Sequence, residues 1–175
     1  RSLNRSCSAL RRSRAAFRAC APYGEVPKIP MFGSARTRPD DPVYEQARAM
    51  AEQIADAGWM VVTGAGPGIM AAGLEGAGRE RAFGVNIRLP FEQGANAFIA
   101  KDPTLVEMKY FFTRKLMLSE ESDVYVCLPV GLDTLDARFD FLTPLHTGTA
   151  EPAPVVTPAV TGRTLWQRPA AVLPT

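Results

Sequence analysis

Glycine-bearing loops that follow apolar runs are the stretches of this chain best suited to chemistry. Gly33-Ser34-Ala35-Arg36 follows Val26–Phe32, Gly64-Ala65-Gly66-Pro67-Gly68 follows Trp59–Thr63, and Pro129-Val130-Gly131-Leu132-Asp133-Thr134 follows Val124–Leu128. Glycine lets a backbone approach an anion closely, and a helix that starts after the loop adds amide donors and its positive end. Ser34 supplies a hydroxyl, and Arg36 and the Arg114-Lys115 pair supply cations. A guanidinium fork suits phosphate. Asp136 and Asp140 are the carboxylates next to the third loop. The set predicts a site for a phosphorylated small molecule. A dinucleotide-type GxGxxG is excluded for the second loop, because Ile69 occupies the final glycine position and no acidic ribose anchor follows at the required distance. With one histidine and no CxxC or HxxxH spacing, neither a metal nor a resident cofactor is expected.

Such loops need a strand before them and a helix after. The apolar runs at Val26–Phe32, Trp59–Thr63, Phe83–Ile87, Val106–Met108 and Val124–Leu128 read as strands, with another opening at Val155 and Val156. Pro27 and Pro30 disfavour regular pairing of the first. Asp41 is placed to cap a helix that has Pro42 in its first position, an apolar face of Tyr44, Ala47, Ala51, Ile54 and Ala55, and a stop at Gly58. A second helix should start near Ile69 and end near Gly76 or Gly78, and a third should cover Lys109–Leu118 with Phe112 and Leu116 packed inward. Leu135, Phe139, Leu142 and Leu145 recur at helical spacing after the third loop. Strand and helix alternate, which predicts an α/β domain of modified Rossmann type, three layers around a mostly parallel sheet.

With 175 residues, 46% of them hydrophobic, the chain can bury one good core. A net charge of +2 gives no nucleic-acid signal, and no run is long enough for a membrane span. Cys7, Cys20 and Cys127 are odd in number, and the last lies in a buried-strand pattern, so a reducing, cytoplasmic setting is expected. Three segments follow: a basic extension over 1–25, a nucleotide-binding domain over 26–156, and a divergent tail over 157–175. The extension has the composition of a targeting or anion-binding arm, but a helix packed on the domain edge is the favoured reading. The tail breaks the strand-and-helix pattern so abruptly that a shifted reading frame near Val156 is expected.

The stretch around Pro129–Ala137 resembles the PGGxGTxxE signature of the Lonely Guy (LOG) family, also labelled lysine decarboxylase-like. GSAR, GAGPGIM, LPFEQ with the nearby Asn96, and the Arg114-Lys115 pair resemble further family motifs, so the likeness covers about 28–156. The resemblance implies a phosphoribohydrolase that cuts the N-glycosidic bond of a cytokinin or adenosine monophosphate, releasing base and ribose 5-phosphate, and at least a homodimer. It implies Arg114 as a catalytic residue. It implies nucleotide contacts at Gly33, Ser34, Arg36, Thr63, Gly64, Gly66, Gly68, Met108, Lys115, Pro129, Gly131 and Thr134.

Three departures cut across that expectation. Val130 and Asp133 stand where the signature has glycines, and Ala137 stands at the position of its glutamate. Alanine has no proton to exchange, and losing a positioned acid or base costs about 10² to 10⁴ in rate. Asp140, one turn further on, is the possible substitute. Asp133 adds a like charge beside a phosphate, or serves as a helix cap. Impaired activity is the expectation, with a catalytically dead nucleotide binder or an inert truncated product as the alternatives.

Overall fold

The computed structural model describes residues 2–87, 94–128, 143, 147 and 153–158, and no side-chain detail for 2–8 and 12. Its strands are β1 (Lys28–Phe32), β2 (Met60–Thr63), β3 (Ala82–Ile87), β4 (Leu105–Met108), β5 (Tyr125–Cys127) and β6 (Val155–Val156). They form one sheet in the order β4-β3-β2-β1-β5-β6, and every pairing is parallel. The expected α/β class and Rossmann-type sheet are what the chain adopts. Parallel strands covered on both faces explain the short, uniformly apolar runs.

Pro30 sits in the central strand, contrary to the expectation that it would disturb pairing there. The strand tolerates it by dividing its partners: β2 runs alongside Lys28, Ile29 and Pro30, and β5 pairs from Met31 onward. Pairing on the β5 side thus begins just beyond the residue that has no N–H to give.

Four helices flank the sheet among the described residues: α1 (Ser2–Cys20), α2 (Pro42–Asp56), α3 (Ile69–Ala77) and α4 (Phe111–Glu120). Asp41 caps α2 as its sequence position predicts, its carboxylate accepting from the Val43 amide at 2.8 Å. Ala47, Ala51, Ile69, Ala72 and Leu74 of α2 and α3 pack with Ile29, Met31 and Val61 on one face of the sheet. On the other face Ala16 and Cys20 of α1 and Met117 and Leu118 of α4 pack with Met60, Val62, Phe83 and Val85.

The inward face of α4 differs from the expected one. Phe112 and Leu116 are 63% and 47% exposed, whereas Thr113, Met117 and Leu118 are buried. The helix is turned so that Arg114 reaches β3, with Nε donating to the Val85 carbonyl at 2.9 Å. The Thr113 hydroxyl bonds the Tyr110 carbonyl at 2.8 Å, and Phe112 stacks on Tyr110 outside the core.

Three buried acids make stability depend on alkaline pH: Cys20, Tyr44 and Tyr125, whose phenol burial also raises above its ordinary value. Burial first, and the neighbouring Glu121 second, push the Cys20 thiol up to about 12 from an ordinary 9.0. Burial and the hydrogen bond to Glu75 push Tyr44 up to about 12 from 10.0. The unfolded chain therefore loses these protons first, so stability present below pH 9 drains away as pH rises toward 12. Urea midpoints should hold up to about pH 9 and then fall steeply, and Cys20→Ala or Tyr44→Phe should flatten the fall. An equally steep fall in both variants would assign the alkaline lability elsewhere.

Candidate functional site

The chain steps from β1 outward through β2 and β3 to β4, then crosses back to place β5 on the other side of β1. At such a reversal, beyond the C-terminal ends of the strands, doubly wound sheets bind ligands in a crevice. The Leu128 amide donates to the Phe32 carbonyl at 2.8 Å. The first loop and Leu128 thus leave the sheet side by side.

The first two loops interlock. The Ile69 amide donates to the Ser34 carbonyl at 3.1 Å. Gly33 lies so close to α3 that a Cβ there would fall 2.5 Å from Ile69 Cγ2. Gly68 has φ +68°, and a Cβ on it would meet the Ser34 carbonyl oxygen at 2.3 Å. Ala65 holds φ 57°, rare for a residue with a side chain. Thr63 is buried, and its hydroxyl accepts the Ala65 amide at 3.1 Å, supporting the loop from beneath. Two amides of this segment are thereby spent inside the protein, and Pro67 has none. Those of Gly64, Gly66 and Gly68 donate to no partner among the described residues.

Arg114 lies over the second loop. A Cβ at Gly64 would fall 1.8 Å from its terminal Nη2. Held through Nε by Val85 and seated over the glycine, the guanidinium is a fixed cation beside the Gly64–Gly68 backbone. The arrangement can hold an anion between backbone donors and a rigid fork.

The structure brings together Gly33, Ser34, Thr63, Gly64, Gly66, Gly68 and Arg114 from the expected set. Arg36 is exposed, and its amide donates to the Ser34 hydroxyl at 3.1 Å, so that hydroxyl serves the turn. Lys115 lies half-buried on α4. Met108 is fully buried and packs with Phe83, Val85 and Met117. Pro129, Gly131, Thr134, Ala137 and Asp140, with Val130, Asp133 and Asp136, lie outside the described residues. Sequence reasoning missed Asn96, whose side-chain Nδ2 donates to the Gly66 carbonyl at 2.9 Å. Only its place near LPFEQ marked it. No cluster of His, Cys, Asp or Glu able to hold a metal occurs among the described residues. None of the described helices is long and apolar enough to cross a membrane.

The SLOG cluster4 family model matches residues 26–137, from the first strand through the third loop. The chain belongs to the SLOG cluster4 family. No curated protein sequence matches it. Solved structures share the fold. One is the molybdenum cofactor carrier protein of Chlamydomonas reinhardtii, with 21% identity, TM-score 0.56, and coverage of 75% of this chain and 76% of that one. Another is the molybdenum cofactor binding protein of Rippkaea orientalis, with 19% identity, TM-score 0.56, and coverage of 83% and 85%. A third is DNA processing protein A of Helicobacter pylori, described as binding single-stranded DNA, with 13% identity, TM-score 0.57, and coverage of 85% and 74%. The LOG-like resemblance drawn from the motifs is thus sound at the level of the SLOG family, whose fold carries carriers and binders too.

Proposed function

We propose that this SLOG cluster4 protein binds a nucleoside 5′-monophosphate in the crevice and hydrolyses its N-glycosidic bond with impaired efficiency. The observation that supports this reading best is the guanidinium of Arg114, fixed by the Val85 carbonyl and seated over Gly64 beside three unspent loop amides. In such a site the amides of Gly64, Gly66 and Gly68 and the Arg114 fork would hold the anionic end of the ligand. In the reaction, water adds to the ribose C1′ while the bond to the base nitrogen breaks. The base leaves with the bonding electrons and takes up a proton. An acid or base at that step is worth about 10² to 10⁴ in rate, and Ala137 cannot provide it. Asp140 is the proposed substitute. The same alanine favours a second reading, a binder without turnover, on a fold that the named cofactor carriers also use.

Calorimetry with AMP and chromatography of free adenine test both. AMP should bind, adenine should appear slowly, and Arg114→Ala should weaken AMP binding about tenfold or more, as loss of a charge-assisted hydrogen bond does. Binding with no adenine at all selects the second reading. A chain that ignores AMP but takes up a single-stranded oligonucleotide would overturn both.

A further inference from the structure

We propose that Asn96 is a positioning residue whose side chain holds the Gly64–Gly68 loop in the shape that turns the Gly66 amide outward. This rests on the nucleotide-binding reading above. Two successive carbonyls of the loop are tied to it: Ala65 O accepts the Asn96 backbone amide at 2.9 Å, and Gly66 O accepts its side-chain Nδ2 at 2.9 Å. A trans peptide unit points its C=O and its N–H in opposite directions. Pinning the Ala65 carbonyl toward residue 96 therefore turns the Gly66 amide away from it, and that amide has no partner among the described residues. The second tie, at Gly66 O, holds the peptide that leads into Pro67.

The loop needs an external hold, because Ala65 lies at φ 57°, a conformation a residue with a Cβ does not keep unaided. Asn96 is itself rigidly mounted. Its Oδ1 accepts the Phe98 amide at 3.2 Å, and its carbonyl accepts the amides of Ile99 and Ala100 at 3.3 and 3.0 Å. Ile99 is 1% exposed and packs in the core with Ala65. A Cβ on Gly84 would fall 3.0 Å from Ile99 Cδ1 and 3.2 Å from Ala65 Cβ, so β3 leaves room for both. The turn after Asn96 is bolted to the sheet, and Asn96 reaches from it to the loop.

Asn96→Asp tests the side-chain tie, and the neutral Asn96→Ala separates the lost donor from the effect of an added charge on AMP. Aspartate keeps the acceptor that serves Phe98 and the backbone bond to Ala65, and removes the donor to Gly66. In the full chain, without ligand, hydrogen exchange at the Ala65 and Ile69 amides, the hydrogen-bonded ones of the loop, should quicken about tenfold, as one lost hydrogen bond implies, while α2 amides keep their rates. AMP affinity should fall about tenfold with little change in the melting midpoint. Asn96→Ala should match it at the loop. Unchanged loop exchange in both variants, or faster exchange with unchanged AMP affinity, would overturn the positioning role. So would unfolding of both, which would make Asn96 a scaffold residue. If the wild-type chain binds no AMP, the nucleotide reading fails on its own, and the ligand-free exchange still decides whether Asn96 holds the loop.

Discussion

The Gly64→Ala variant is expected to stay folded and lose most of its nucleotide affinity, while Gly68→Ala is expected to lose the fold around the same loop. At Gly64 the added Cβ would fall 1.8 Å from Arg114 Nη2 and 2.6 Å from Met70 Sδ, both near the ends of flexible side chains. Those ends can swing aside at small cost to stability. Arg114 cannot do so and keep its seat, so the fixed cation is displaced. A hydrogen bond to a charged group contributes about 1.5 to 3 kcal/mol, which is roughly ten- to hundredfold in affinity. At Gly68 the obstruction is backbone: the Ser34 carbonyl oxygen at 2.3 Å and the Ala35 carbonyl carbon at 2.7 Å. Its φ of 68° with ψ of −133° is a conformation that residues with a Cβ avoid. Strain of about 1 to 3 kcal/mol adds to overpacking of similar size. A loss of about 3 kcal/mol or more removes much of an ordinary domain's stability. Calorimetry with AMP beside a urea titration separates the two variants. Wild-type affinity in Gly64→Ala would show that the seat over this glycine is irrelevant to the ligand.

The contrast marks what local sequence could disclose. Strands, loops and the Asp41 cap were legible because each is punctuated within a few residues, by an apolar run, a glycine, or an aspartate before a proline. Gly33, Gly64 and Gly68 stood out as loop glycines, but the partners that demand them lie about 30 to 50 positions away in the chain, at Ile69, Arg114 and Ser34. The orientation of α4 was illegible for a related reason. Its apolar residues offer more than one inward face, and the tether of Arg114 to Val85, with α1 packed alongside Met117 and Leu118, selects one. Asn96 carried no local signal of a clamp, since any asparagine in a loop bonds some backbone. The choice of Gly66 and Ala65 follows from where Ile99 anchors the turn. Pro30 could be accommodated only through the offset between two neighbours, which a single strand read alone does not reveal.

The largest expected gain comes from reversing the three departures in the third loop together. Val130→Gly with Asp133→Gly should tighten AMP binding without much turnover, because a β-branched side chain and a like charge are removed but no acid or base is added. Ala137→Glu alone should restore little, because a proton-transfer group cannot act on a ligand that is poorly seated. The triple variant should release adenine from AMP at least about 10² faster than the unmodified chain, the lower value of a positioned acid or base. Its gain should exceed the product of the separate gains, since binding and proton transfer act on one transition state. Arg114→Ala in the triple background supplies the link to the described site. If the fixed guanidinium over Gly64 holds the substrate, adenine release should fall back toward the unmodified rate, with AMP affinity weakened in parallel. Fast release by the unmodified chain would instead make Asp136 or Asp140 the working carboxylate. A folded triple variant that binds AMP firmly and releases nothing would leave the chain a binder, with hydrolysis no part of what this crevice does.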